Sequence, residues 1–181
     1  KNRITAQGAI NGDVNDPGSG LTNADALSIQ KYLLKLISIA HTEGFYYTSR
    51  IDHQLLEKYH EGLICSSACI AGEIPQHILR GDIEAAEKSA LWFKNLFGDD
   101  FYLEIMRHKA EDPSYRSYRD EPPVHELEEK ANSAILEIGA KLGIKVIATN
   151  DVHFLNAEDA DAHDILLCIN SGKKYTDEKR L

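Results

Sequence analysis

Two short stretches carry side chains that chemistry can use. In Thr149-Asn150-Asp151-Val152-His153-Phe154 a carboxylate and an imidazole stand two residues apart. Extended backbone puts such a pair on one side, where both can grip one metal ion. A plain hydrogen bond from His153 to Asp151 within a loop is the alternative. The second stretch, Asp13-Val14-Asn15-Asp16-Pro17-Gly18-Ser19-Gly20-Leu21-Thr22-Asn23-Ala24-Asp25, sets oxygen-bearing side chains ahead of a helix. Calcium takes about 6–8 oxygens, which acidic loops supply at alternate positions around a Gly turn. Asp13, Asn15 and Asp25 are the natural ligands, with Asp16 a further one and a backbone carbonyl near Ser19. An Asn/Asp/Gly turn that merely caps the next helix explains the same residues without calcium.

The elements that must position these groups follow from apolar spacing. Ala26, Ile29, Leu33, Leu36 and Ala40 mark one face of a helix that Thr22 or Asn23 can cap. After Gly44 the pattern alternates between strands and helices. Leu63–Ser66 reads as a short strand. Asp82 caps a helix whose face is Ile83, Ala86, Ala90, Phe93 and Phe97, with Gly98 as its stop. Phe101–Met106 reads as a strand. Val124, Leu127, Ala131, Ala134, Ile138 and Leu142 form a helical stripe closed by Gly143. Ile144–Thr149 is apolar enough for a strand covered on both faces. Ala157–Asn170 is a last helix, expected to turn Ala162, Ile165, Leu166 and Ile169 inward. Such alternation implies a parallel sheet or barrel, and Asp151 then lies at a strand's carboxyl end, where α/β folds bind ligands. Lys109–Pro123, with three prolines and many charges, reads as an exposed loop.

Composition limits the function. The chain has 181 residues, 43% hydrophobic and 27% charged, which excludes collagen-like and wholly disordered classes. Its net charge of −9 argues against a generic phosphate-gripping surface, because non-specific nucleic-acid affinity rests on Lys and Arg. No apolar run approaches the roughly 20 residues needed to cross a bilayer. Cys65, Cys69 and Cys168 form neither a CxxC pair nor a zinc-ribbon spacing, which favours a reduced intracellular setting. Lys1 without a Met and the ending Lys179-Arg180-Leu181 are expected to be cut ends of a longer chain.

Several motifs in order carry a resemblance. Glu43-Gly44-Phe45-Tyr46-Tyr47, Arg50-Ile51-Asp52, Leu55–Ile64, Ser67-Ala68-Cys69-Ile70-Ala71-Gly72-Glu73-Ile74-Pro75-Gln76, Phe101-Tyr102-Leu103-Glu104, Ala148–Phe154, His163–Ile169 and Asp177–Leu181 stand along most of the chain. Together they resemble the polymerase-and-histidinol-phosphatase (PHP) domain of the bacterial replicative DNA polymerase III alpha-subunit family, from about residue 33 onward. The resemblance implies a (β/α) barrel with a metal cluster at the carboxyl ends of its strands. Carried over by motif, Cys69, Asp151 and His153 are the metal positions present here, suited to zinc or manganese. Cys65 and Cys168 read as core.

The resemblance also implies what is missing. The family's opening His-x-His and its next ligands precede the matched region, and the polymerase palm lies beyond Leu181. Three ligands do not rebuild a multinuclear phosphoesterase site, which needs metals on both the attacking water and the leaving oxygen. Hydrolysis by this chain alone is therefore not expected. The implied partners are DNA and the other polymerase subunits, in the cytoplasm. In the intact family the domain supports the polymerase architecturally, and in some members it removes mismatched nucleotides from primer ends.

A second resemblance covers Asn11–Ile37, through the acidic loop and the following Lys31-Tyr32-Leu33-Leu34. It is similar to half of a dockerin, the calcium-binding module that docks on a cohesin partner in extracellular assemblies. The expected class is thus α/β: an EF-hand-like loop–helix over residues 1–37, then a partial PHP-type (β/α) barrel with parallel strands over residues 38–181. Because the two halves imply different compartments, a joined chain with its seam between Tyr32 and Ser38 is expected. The further alternatives are a coincidental acidic loop and a purely structural scaffold. A truncated barrel leaves unpaired strand edges, so self-association is expected unless the first helix covers one. Glu104 reads as structural support. His108, just after a strand, could face the barrel mouth, but it reads as lying outside the site, and the remaining histidines show no ligand spacing. Interleaved Tyr115, Arg116, Tyr118 and Arg119 can suit single-stranded nucleic acid, but the flanking Asp112, Asp120 and Glu121 argue against that use.

Overall fold

The structure is a computed structural model that describes residues 23–109 and 124–177. Asp13, Asn15 and Asp16 of the acidic loop, the Lys109–Pro123 loop beyond its first residue, and residues 178–181 lie outside the described residues. The chain divides into two compact units, residues 1–65 with 92–101 and residues 66–91 with 102–181.

In the first unit, helix α1 (Asn23–His41) packs on helix α2 (His53–Tyr59). Asp25 falls in the first turn of α1. Burial in α1 concentrates at Leu36, Ile39 and Ala40, while Leu33, Leu34 and Ile37 are about half exposed or more. The stripe read from the sequence included Leu33; among the described side chains of α1, burial falls in its last turns. Asp52 caps α2 by accepting from the Leu55 amide at 2.9 Å. Seven residues are too few for an apolar period to show, so the sequence gives no sign of α2. Aromatic rings fill this unit: His53 stacks on Trp92 at 3.8 Å, and Phe93 stacks on Phe101 at 5.3 Å.

In the second unit, strands β1 (Cys65–Ser66), β2 (Phe101–Ile105, here from Tyr102 on) and β3 (Lys145–Ala148) form a sheet in the order β1-β2-β3. β2 and β3 run parallel, with Tyr102 opposite Lys145 and Ile105 opposite Ala148. Helix α3 (Glu73–Leu79) buries Ile74, Pro75 and Ile78 and packs on helix α5 (Val124–Leu142). Helix α4 (Ile83–Phe97) begins at Asp82, whose carboxylate accepts from the Ala85 amide at 3.0 Å, and stops at Gly98 with φ +58°.

Helix α5 covers the sheet through Ala131, Ile135 and Ile138, all almost fully buried. It approaches β3 closely at Gly139, where an added Cβ would stand 2.7 Å from Val146 Cγ2. The strand expected to be covered on both faces is instead half-covered: Val146 and Ile147 are half-buried, and Lys145 and Ala148 are exposed. One helix against a strand shields only the middle of it.

Helix α6 (Ala160–Ser171) departs further from the expectation. Ile165 and Leu166 are 49% and 62% exposed, Ile169 is 72% exposed, and Ala162 is also exposed. Only Cys168 is buried on this helix, as its reading as core requires. Burial pushes the Cys168 thiol pKa up, helped by Asp164 and Asp177. The inward face foreseen for α6 is real as a stripe, but among the described residues no element covers it.

Candidate site at the carboxyl ends of the strands

β2 alternates to bring a carboxylate inward. Leu103 is fully buried and Glu104 is 9% exposed. A buried carboxylate is costly unless its lone pairs are occupied. Glu104 Oε1 accepts from the Ser66 hydroxyl and from the Ala68 amide (3.1 Å), and Oε2 accepts from the Thr149 hydroxyl at 2.5 Å. The Glu104 amide donates to Ser67 Oγ at 2.8 Å. Among the described residues no Lys, Arg or His forms an ion pair with it. One side chain thus joins the segment after β1 to the end of β3.

The turn after β1 is tight. Ala68 adopts φ +59°, a left-handed conformation that a residue with a Cβ rarely holds. The Gly72 amide closes the turn on the Cys69 carbonyl at 2.8 Å, and a Cβ at Gly72 would lie 2.2 Å from the Ser67 oxygen. Cys69 is half-buried and shares a shallow cleft with Glu104, Met106, Glu128 and Asn132.

Just beyond β2, α5 supplies polar partners from within its apolar stripe. Asn132 donates to the Met106 carbonyl (2.7 Å) and accepts from the Met106 amide (3.3 Å). Glu128, 3% exposed, accepts from the His108 amide at 2.7 Å and pairs with His108 Nδ1 at 2.5 Å. His108 Nε2 faces the Asn150 carbonyl at 2.7 Å. A carbonyl can only accept and Glu128 is a carboxylate, so both ring nitrogens are placed to donate and the imidazolium is favoured. The His108 pKa is raised accordingly, first by the Glu128 hydrogen bond and then by the Asn150 carbonyl, against a lowering by burial. Charge on Glu128 and on Asp151 adds to the rise.

The place of His108 just after a strand was the sequence signal that it could face this rim, but no ligand spacing named a partner for it. A signal for its partner existed: Glu128 stands on the stripe of α5, one turn before Ala131 and Asn132, where an acid needs a reason.

The predicted metal residues occupy the same rim. Asp151 has φ +46°, and both it and His153 are exposed. His153 Nδ1 lies 2.6 Å from the Asp151 carbonyl oxygen, so that nitrogen carries the proton. The ring also contacts His163, at 5.6 Å between centroids. The pair is therefore linked through side chain and main chain, not by two side chains facing one ion. Among the described residues no three His, Cys, Asp or Glu groups converge on a position that could hold a metal. Cys69, Asp151 and His153 do not by themselves make a metal centre in this arrangement.

A parallel sheet with helical crossovers and a polar rim at the carboxyl ends of its strands is an α/β arrangement. Residues 19–108 match the family described as "PHP domain". The chain is 47% identical over 151 residues to the DNA polymerase III subunit alpha of Borreliella burgdorferi, a match covering 83% of this chain and 12% of that protein. The subunit alpha of Chlamydia pneumoniae is 42% identical (76% and 12%), and that of Campylobacter jejuni 40% (82% and 12%). The chain belongs to the PHP-domain family of DNA polymerase III alpha subunits. It spans about an eighth of the length of these relatives. The family match begins inside the stretch that also resembles a dockerin.

Proposed function

We propose that this chain serves DNA replication as part of the PHP domain of a replicative polymerase alpha subunit, working in the cytoplasm with DNA and the other polymerase subunits. Residues 38–181 supply one side of a metal-dependent phosphoesterase or proofreading-type site, and the chain is inactive by itself. The observation that carries this reading is the rim where Glu104, His108 and Thr149–His153 meet at the ends of β2 and β3. Cys69, Asp151 and His153 are the positions that would take zinc or manganese beside the further ligands of the whole domain, and by themselves they bind it at most weakly. The His153 hydrogen bond to a backbone carbonyl leaves Nε2 with an outward lone pair, the tautomer that metal-bound imidazoles use. Thiolate and imidazole suit zinc, and a carboxylate also accepts manganese.

Calorimetric titration of zinc and manganese into the 181-residue chain and into Asp151→Ala tests the metal positions. Weak binding in the parent chain and its loss in the variant are expected, and identical isotherms overturn the assignment of Asp151. Incubation with a 3′-mismatched primer–template tests the rest. No nucleotide release is expected, and metal-dependent release by this chain alone overturns the inactive reading.

A further inference from the structure

Among the described residues of the second unit, two other than glycine hold left-handed backbone, Ala68 and Asp151. Each belongs to a segment that ends on Glu104. The Ala68 amide donates directly to Oε1, and Thr149, two residues before Asp151, donates to Oε2. Ser66 and Ser67 add the hydroxyl contacts that fix the first segment in register. Left-handed conformations persist away from glycine only where surrounding structure over-determines them, and they gather at functional sites. Here one contributor is common to both, a single buried carboxylate with a different segment on each oxygen, beside the Gly72–Cys69 turn bond on one side and the His108–Asn150 contact on the other.

We propose that Glu104 is a positioning residue that clamps the Cys69 turn against the Asp151 loop. It touches neither a substrate nor an ion. Its carboxylate sets the relative placement of two segments 36 to 45 residues away in sequence from it. This rests on the reading that Cys69 and Asp151 belong to one site, and it names what holds them there. Hydroxyl and amide donors, rather than a Lys or Arg, occupy the carboxylate. The clamp is therefore directional: each oxygen is committed to its own segment.

The test measures the placement itself. In the full chain with Cys65→Ala, Cys69→Ser and Cys168→Ala, spin labels are attached at Ala71→Cys and Val152→Cys, both exposed positions outside Glu104's contacts. Pulsed electron resonance then gives the distance distribution between the two segments. One narrow population is expected with Glu104 in place. Glu104→Gln and Glu104→Ala are each expected to broaden it about twofold, as freed segments sample their local range.

Thr149→Val cuts only the link to the β3 end and is expected to broaden the distribution while the melting transition stays cooperative. It keeps the test open if the Glu104 variants do not fold. Unchanged widths in every folded variant overturn the clamp. Zinc titration of the unlabelled chain separates the two levels of the argument. No binding by the parent chain overturns the shared-site reading, whereas binding that weakens about tenfold in Glu104→Gln supports the clamp, as loss of a supporting partner does in metal sites.

Discussion

Glu128→Gln isolates the charge that keeps His108 protonated. The buried Glu128 carboxylate holds the His108 amide and ring nitrogen together, and the substitution keeps the shape while removing the charge. A hydrogen bond to a charged group is worth about 1.5–3 kcal/mol. The His108 side chain is 41% exposed, so solvent screening reduces the ionic share to about 1 kcal/mol. The glutamine oxygen still accepts from the His108 amide, which preserves part of the remainder. The sign follows from the direction of the shift. The His108 pKa is raised in the folded chain, so its contribution is fully present below the unfolded value, about 6.5, and fades as pH rises through the folded value.

The variant is thus expected to lose about 1–2 kcal/mol at acidic pH and distinctly less at alkaline pH. Urea melts of both proteins at pH about 5.5 and about 8.5 read this difference, since these values bracket an ordinary imidazole. Ring-nitrogen NMR of His108 should show its titration moving down in the variant. A loss that is equal at both pH values, or larger at the alkaline one, refutes the reasoning.

Two further substitutions probe how the elements are held. Gly139→Ala gains about 1 kcal/mol of helix propensity but drives a methyl to 2.7 Å from Val146 and 3.2 Å from the Ile144 oxygen. Overpacking costs about 1–3 kcal/mol, so a net loss is expected by thermal melt, and Val146→Ala in the same chain should recover part of it. Asp82→Ala removes the side-chain cap of α4 at an exposed site and should cost about 1 kcal/mol, with no change in the His108 titration.

Much of the architecture was legible because it depends on local grammar. Val124–Leu142 was read from its stripe and its Gly stop, and the structure places α5 over the same span. Asp82 and Gly98 likewise bounded α4, apart from a one-turn 3-10 extension at Gly98–Asp100. The short helices at His53–Tyr59 and Glu73–Leu79 were not legible, since seven residues give barely two turns. The covering of β3 and the facing of α6 were misjudged for a related reason. An apolar stripe states which side prefers burial, but not whether another element arrives to bury it.

The candidate site divides the same way. Thr149–His153 announced itself by residue type and by standing after a strand. Cys69 came through the resemblance alone. Glu104 drew notice only as support, and His108 and Glu128 drew none as partners. Their contacts span 20 to 45 residues and have no periodic signature. The acidic set Asp13, Asn15 and Asp16 lies outside the described residues, and Asp25 is placed in the first turn of α1.

The rim is a hydrogen-bonded structure in its own right. Glu104 takes part in four hydrogen bonds, one through its amide and three through its carboxylate. Against them stand two left-handed residues at about 1–3 kcal/mol apiece. Three of those bonds end on the carboxylate, where hydrogen bonds are worth more, about 1.5–3 kcal/mol each, so the contacts outweigh the strain they hold. None of these terms involves an ion. Ser66, Glu104 and Thr149 hold the strand ends together through hydrogen bonds that do not include the side chains of Cys69, Asp151 and His153.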